Sequence, residues 1–271
     1  MKDACMGKEK RIRITILGTR GSVPVSGRAF SVFGGNTSCY LVEAGDEAIM
    51  LDAGSGLVSA PSAFSHAPVI LLSHLHVDHL LGLGMYGRLS QRGATTRLYV
   101  PARDAQDARR AIDRLYSPPL WPLRLGDYGG DLQIDVLPKT LRIGEVTVET
   151  APGSHPGDCR LIKICFAGKT LVYATDFEHG EEASAQLAWF SEGAELLLYD
   201  GQYDEKEYGA HRGFGHSTPE AGVTIMDRCG AKRLLIVHHD PHATDAMLLE
   251  RERMLGLDDV RFAREGEVIE L

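Results

Sequence analysis

The segment Ser73-His74-Leu75-His76-Val77-Asp78-His79 holds three imidazoles and a carboxylate directly after the apolar run Val69-Ile70-Leu71-Leu72. Imidazole nitrogen and carboxylate oxygen are donors that zinc, manganese and iron all accept. Residues two apart on an extended segment share a side, so His74 and His76 can converge on one ion. Asp78 and His79 follow where the chain is expected to turn into a helix, and can face a second ion. Three more residues of ligand type, His155, Asp176 and His238, each stand near an apolar run. That recurrence argues against a chance run of surface histidines.

Elements that end at these positions must carry them. Expected strands cover 11–17, where Ile12, Ile14 and Ile16 alternate, then 37–43, 48–52 and 69–73, separated by glycine-rich turns. A helix is expected over 79–89 behind the cluster, a strand over 97–100, and a helix over 104–115 with Ala105, Ala108, Ile112 and Leu115 near one face. Later strands fall at 133–137, 146–150, 161–166, 170–174, 196–200 and 233–238. Helices fall at 181–192, at 219–229 with Ser217 or Thr218 as cap, and at 243–255. The pattern is α/β (α+β): two β-rich halves forming two packed sheets, with helices on the outer faces. No linker or close internal repeat is visible, so 1–271 reads as one domain.

The chain has 271 residues and a formal net charge of −8, enough for one substantial core. The acidic balance disfavours a large nucleic-acid footprint, which needs many basic phosphate contacts. The basic clusters are short: 8–13, a solvated end leading into a strand, and Arg103 with Arg109-Arg110, on a helix surface. No apolar stretch is long enough to span a membrane, and the N-terminus has no apolar core of a secretory signal. Five cysteines, Cys5, Cys39, Cys159, Cys165 and Cys229, are scattered, with no CxxC pair. Three sit in apolar strand-like runs, where a buried thiol is expected. A reducing, cytoplasmic compartment fits this usage.

In order, the motifs His74-Leu75-His76-Val77-Asp78-His79, His155, Tyr173-Ala174-Thr175-Asp176 and His238 make the chain resemble the metallo-β-lactamase superfamily almost end to end. The resemblance implies an αβ/βα sandwich with the site at one edge of the two sheets. Gly18-Thr19-Arg20-Gly21-Ser22, Gly35-Asn36-Thr37-Ser38 and Gly215-His216-Ser217-Thr218 make it most similar to the tRNA 3′-processing endonuclease and cyclic-phosphodiesterase branch. By that resemblance His74, His76 and His155 hold one metal, Asp78, His79 and His238 hold a second, and Asp176 bridges them. Two divalent ions are implied, zinc first, with manganese or iron as alternatives. Asp78 and His216 are the implied catalytic residues. Asp78 orients the nucleophile, and His216 is a general acid toward the leaving oxygen or binds the phosphoryl group. The alternative for His216 is a structural histidine beside a helix cap. Asp176 argues against drug hydrolysis, because classical lactamases lack that bridge.

Several positions stay open in the sequence. His238 and His239 are neighbours at a strand end and point opposite ways, so only one can coordinate. The resemblance favours His238. His239, Asp240 and His242 can serve around the metals or the substrate, or His242 and Asp245 can simply start the last helix. Asp200 and Asp204 are both candidate partners for a histidine, and Asp52 for a ligand histidine. The loop 116–123, with Tyr116 and Trp121, can stack on a substrate ring, seal a dimer contact or plug the core. Gly18 to Ser22 lacks the P-loop and GxGxxG patterns, so no nucleotide cofactor follows; its glycines let a loop pass close under the metals.

The function expected is hydrolysis of a small or cyclic phosphodiester by hydroxide activated at a dinuclear metal centre. The partner is then a small-molecule diester, with no membrane, nucleic acid disfavoured, and a homodimer implied by resemblance alone. A tRNA 3′-processing endonuclease is a weaker alternative. Only twenty residues separate His155 from Asp176, where the related nucleases often carry a protruding arm. A related sugar-phosphate phosphodiesterase is weakened by the missing cysteine-rich zinc site. Glyoxalase-II-like thioester hydrolysis and persulfide dioxygenation share the ligands but not the Gly215-His216-Ser217-Thr218 element. A non-catalytic, metal-stabilised regulatory protein is the remaining alternative.

Overall fold

Strand alternation with a period of two sets the architecture. In β1 (Ile12–Gly18), Ile12, Ile14 and Ile16 are fully buried on one side. The computed structural model describes residues 10–271, so Cys5 and the first part of the basic run at 8–13 lie outside the described residues. The chain continues through β2 (Cys39–Ala44), β3 (Glu47–Leu51), β4 (Val69–Leu71), β5 (Thr95–Val100), α1 (Ala105–Leu115) and β6 (Asp131–Val136). The second half holds β7 (Thr140–Ile143), β8 (Val146–Pro152), β9 (Arg160–Phe166), β10 (Lys169–Ala174), α2 (Glu181–Phe190), β11 (Leu196–Asp200), α3 (Glu205–His211), α4 (Pro219–Cys229) and β12 (Leu234–Val237). It closes with α5 (Asp245–Leu255), β13 (Val260–Phe262) and β14 (Val268–Glu270).

Two seven-stranded mixed sheets result, ordered β14-β1-β2-β3-β4-β5-β6 and β13-β12-β11-β10-β9-β8-β7. Strands β3 to β6 run parallel, as do β10 to β13, and the other pairs are antiparallel. Alternate residues of the buried strands face different layers. Val69 and Leu71 enter the core between the sheets while Ile70 and Leu72 enter an outer core under α1. Leu235 and Val237 likewise face the inter-sheet core, and Leu234 and Ile236 face α4 and α5. This helix–sheet–sheet–helix sandwich is the expected fold class.

Residues 79–89 do not form the expected α-helix. They form short 3-10 turns, Val77–His79, Leu83–Met85 and Gly87–Ser90. Side chains from outside also claim carbonyls that a helix would use: the Tyr116 hydroxyl donates to Leu80 O, which Leu83 N shares in a tight turn, and the Tyr128 hydroxyl to Gly84 O. A Cβ at Gly82 would overlap Gly54 O, and one at Gly84 the Trp121 ring. Loop 116–123 is therefore a plug at these two aromatics. Tyr116 is buried, Trp121 stands edge-on to it at 5.2 Å, and Trp121 Nε1 donates to the Tyr128 hydroxyl. Helix α3 and the strands β7, β13 and β14 were not expected from the sequence. No helix among the described residues is long and apolar enough to cross a membrane.

Candidate metal centre

Five strands, β3 and β4 of one sheet and β10, β11 and β12 of the other, deliver the site at their C-terminal ends, where open parallel sheets leave room for a ligand. Asp52 follows β3, the His74–His79 segment follows β4, Asp176 follows β10, Asp200 ends β11, and His238 follows β12. His155 lies in the loop between β8 and β9. Asp52, Asp176 and His238 have φ of 60°, 52° and 60°, a left-handed conformation costly for residues with a Cβ. The fold holds all three in it, and each turns its side chain out of the strand direction toward the cluster.

The Asp176 carboxylate divides the cluster in two. Its Oδ2 lies 3.5 Å from His74 Nε2 and 3.6 Å from His155 Nε2, with His76 Nδ1 3.0 Å from His155 Nε2. Its Oδ1 lies 3.1 Å from His79 Nε2 and 3.0 Å from His238 Nε2. Asp78 Oδ2 completes the second group, 3.2 Å from His79 Nε2 and 3.3 Å from His238 Nε2. The donor atoms of His74, His76, His155 and Asp176 lie within 4.8 Å of one another, as do those of Asp78, His79, Asp176 and His238. These are the seven residues singled out in the sequence, in the two expected groups.

Outer partners aim the ring nitrogens. His79 Nδ1 donates to Asp52 Oδ2 at 2.8 Å, and that oxygen also accepts from Ser73 Oγ and the Tyr173 hydroxyl, both at 2.7 Å. His74 Nδ1 meets Ser73 Oγ at 3.0 Å, and His155 Nδ1 donates to Gly215 O at 2.7 Å. In each case the Nδ1 bond leaves Nε2 as the inward ligand atom. His74 Nε2 and His79 Nε2 are buried and have no hydrogen-bond partner. Buried polar atoms are rarely left so, and a cation in each cradle would satisfy them.

The electrostatics point the same way. Burial opposes charge on His238, yet Asp176 and Asp78 raise it to about 9. His79 is also raised, because Asp176, Asp78 and Asp52 outweigh its burial. Burial pushes Asp78 and Asp176 up, but the facing His79 and His238 carry both below the usual carboxylate range. His74 goes down through burial and the charge on His79. Buried carboxylates here demand positive charge, which the residues supply only by holding protons where divalent ions would sit.

The glycine-rich motifs form the floor. A Cβ at Gly21 would overlap the His238 ring, and the next residue, Ser22, donates its N–H to Asp78 Oδ2 at 2.8 Å. The Thr37 hydroxyl donates to Asp78 O at 2.6 Å. Arg20, fully buried, ties this floor to the β12–α5 connection by donating to Asp240 O and Ala243 O.

His239 faces away from the cluster. Its Nε2 donates to Ala263 O at 2.9 Å, its ring packs between Phe33 and Phe262, and burial lowers it to about 3. Asp240 caps the backbone of exposed His242, and Asp245 starts α5 while accepting from Val32 N and Phe33 N. His216 stacks on His238 at 4.8 Å, and its Nδ1 donates to Asp200 Oδ2 at 2.8 Å. Asp204, the other candidate partner, instead caps α3 and pairs with Arg251. Glu178 was not singled out from the sequence, although its carboxylate accepts from Gly213 N and Gly215 N beside the site. Its position two residues after Asp176 was the sole available hint.

Residues 47–239 match the family model described as Beta-lactamase superfamily domain. The chain belongs to this superfamily. It is 24% identical over 271 residues to the Bacillus subtilis "Probable metallo-hydrolase YhfI", covering 96% of this chain and 100% of the relative. It is 24% identical over 312 residues to a ribonuclease Z of Halorubrum lacusprofundi, covering 96% and 97%. The crystal structure of B. subtilis YhfI superposes with a TM-score of 0.74 at 21% identity, covering 96% and 100%. That of a diphosphatase from the PhnP family gives 0.71 at 18% identity, covering 96% and 98%. The chain is therefore a metallo-hydrolase, in a fold that implies divalent metal at these histidine and aspartate clusters.

Proposed function

We propose that the protein hydrolyses a small or cyclic phosphodiester with two divalent ions, zinc in the first instance, held by His74, His76 and His155, by Asp78, His79 and His238, and by Asp176 between them. The observation that carries this reading is the Asp176 carboxylate, one oxygen to each histidine group, with the His216–Asp200 pair stacked against the second. Two bound cations would supply a nucleophile from water at neutral pH and stabilise charge on the phosphoryl oxygens. Asp78, fixed by Ser22 N, orients the attacking water. Asp200 accepts the Nδ1 proton of His216, so the protonated ring presents Nε2–H as the donor that gives its proton to the leaving oxygen. Water adds to phosphorus, one P–O ester bond breaks, and the leaving oxygen takes that proton, giving a phosphomonoester and a free hydroxyl, both on one product molecule when the diester is cyclic.

The ribonuclease Z relatives favour a second reading, tRNA 3′ processing, and keep it in play. Against it, the twenty residues between His155 and Asp176 are occupied by the β9–β10 hairpin and its flanks, and the net charge is −8. A small-molecule substrate in the cytoplasm fits better. Metal content, hydrolysis of bis(p-nitrophenyl) phosphate by the wild type, and hydrolysis of a diester with an alkyl leaving group by the wild type and His216→Ala test the proposal. Two metals, and activity that collapses in the variant with metals retained, would support it. Two metals without diester turnover would shift the weight to thioesters, and one iron with none would indicate persulfide oxidation.

A further inference from the structure

A continuous row of rings leads from His216 to the surface. Tyr203 stands edge-on to His216 at 5.9 Å, His211 stacks on Tyr203 at 4.2 Å and 15°, and Phe214 stands edge-on to His211 at 5.6 Å. Tyr203 is buried, but Phe214 is 60% exposed. A lone exposed apolar residue needs no explanation, but this one ends an aromatic row that begins at the expected proton donor. It is also held rigidly. Gly213 and Gly215 flank it with φ of 86° and 90°, and Glu178 accepts from both of their N–H groups, at 2.6 and 2.9 Å. Two hydrogen bonds to a carboxylate are among the strong ones available to a loop. The Glu178 main chain donates to Ser154 O, and Gly215 O receives His155 Nδ1, so the clamp is tied to a ligand histidine on both sides.

We propose that the turn at 212–215, clamped by Glu178, is a specificity element that presents Phe214 as a stacking face for a planar ring carried beside the substrate's phosphoryl group. The inference rests on the phosphodiesterase reading and adds to it the residue that selects the organic group. A rigid ring binds with little loss of side-chain freedom, and stacking on it favours substrates with an aromatic or heteroaromatic substituent over aliphatic ones.

Two diesters with the same five-membered cyclic phosphate separate the claims: adenosine 2′,3′-cyclic phosphate, which carries a base, and glycerol 1,2-cyclic phosphate, which does not. The quantity read is the ratio of their kcat/KM values. Stacking on a protein ring is worth about 1–3 kcal/mol per base, so Phe214→Ala should lower that ratio by about tenfold, through KM. Phe214→Trp should preserve it, and Glu178→Ala should lower it with Glu178→Gln intermediate. Calorimetric binding of the two monoester products to the metal-loaded protein gives the same comparison without turnover. A ratio equal in wild type and Phe214→Ala would overturn the stacking face while leaving diester hydrolysis standing. Turnover of neither diester, together with an adenosine-product preference that Phe214→Ala removes, would overturn the hydrolysis reading and keep the stacking face.

Discussion

Replacing Asp200 with Asn separates a proton-donor role for His216 from a ligand role. Asp200 Oδ2 accepts from His216 Nδ1 at 2.8 Å and from Phe177 N at 3.1 Å, while Oδ1 accepts from Gln202 N at 3.0 Å. The carboxylate is thus occupied by three donors, which suits an orienting group better than a ligand. Even so, its oxygen lies with donor atoms of Asp176, His216 and His238 within 4.8 Å. Asparagine has the same shape but no charge to stabilise protonated His216, and it can present an amide N–H where an acceptor is needed. A hydrogen bond involving a charged group is worth about 1.5–3 kcal/mol, and each ~1.4 kcal/mol is tenfold. Asp200→Asn should therefore lower kcat by about 10–100-fold on a diester with an alkyl leaving group. His216→Ala removes the donor and should cost about 10²–10⁴-fold. The double variant should match His216→Ala, because Asp200 acts only through that ring. On a nitrophenyl diester, whose leaving group needs no proton, both losses should shrink. Elemental analysis should show wild-type metal content throughout. Additive losses, equal losses on both leaving groups, or a metal lost from Asp200→Asn would refute the argument, and the last would make Asp200 a ligand.

Asp176→Asn should reduce metal content at both positions, because its two oxygens serve different histidine groups; loss of one metal only would show that it does not bridge. Removing metal by chelation should lower the thermal midpoint, since ligand at ~1,000 times its Kd stabilises by about 4 kcal/mol. In the metal-free protein His238 is raised from 6.5 to about 9, so its stabilisation is fully present below 6.5 and is lost as pH rises through about 9. Denaturant unfolding should show that decline in the metal-free protein, and the metal-loaded protein should not share it. Gly215→Ala places a Cβ on His155 Nδ1 at a φ of 90°, and should lower both metal content and stability, the latter by at least about 1–2 kcal/mol. Tyr116→Phe removes one of the two donors to Leu80 O, the other being Leu83 N, and should cost about 0.5–1.5 kcal/mol in denaturant unfolding while kcat stays unchanged.

Ligand types clustered at a strand end are legible in a sequence because a strand fixes which side chains share a side. His74, His76, Asp78 and His79 needed little more, and the opposite directions of His238 and His239 followed from the same geometry. His155, Asp176 and His238 could be assigned to metals only through resemblance, because nothing local in a loop histidine says what it faces. What stayed hidden depends on non-local carbonyls and charges. The segment after His79 has helical composition, but Tyr116 and Tyr128, more than thirty residues on, hold its carbonyls in short turns. Strands β13 and β14 have three residues each, too few for a period of two to register. Glu178 acts through backbone N–H groups of a distant turn, and such a target leaves no mark on residue type. The least readable feature is the left-handed backbone at Asp52, Asp176 and His238. Glycine would adopt it without strain, so its presence at ligand-type residues means that the side chain is required there. At about 1–2 kcal/mol each, the three distortions together are comparable to a substantial fraction of a domain's net stability. The Asp52 hydrogen bonds to Ser73, His79 and Tyr173 offset part of that cost. The ion pairs that Asp176 makes with His79 and His238 offset more of it in the bare protein, and in the working enzyme the metals would take that part.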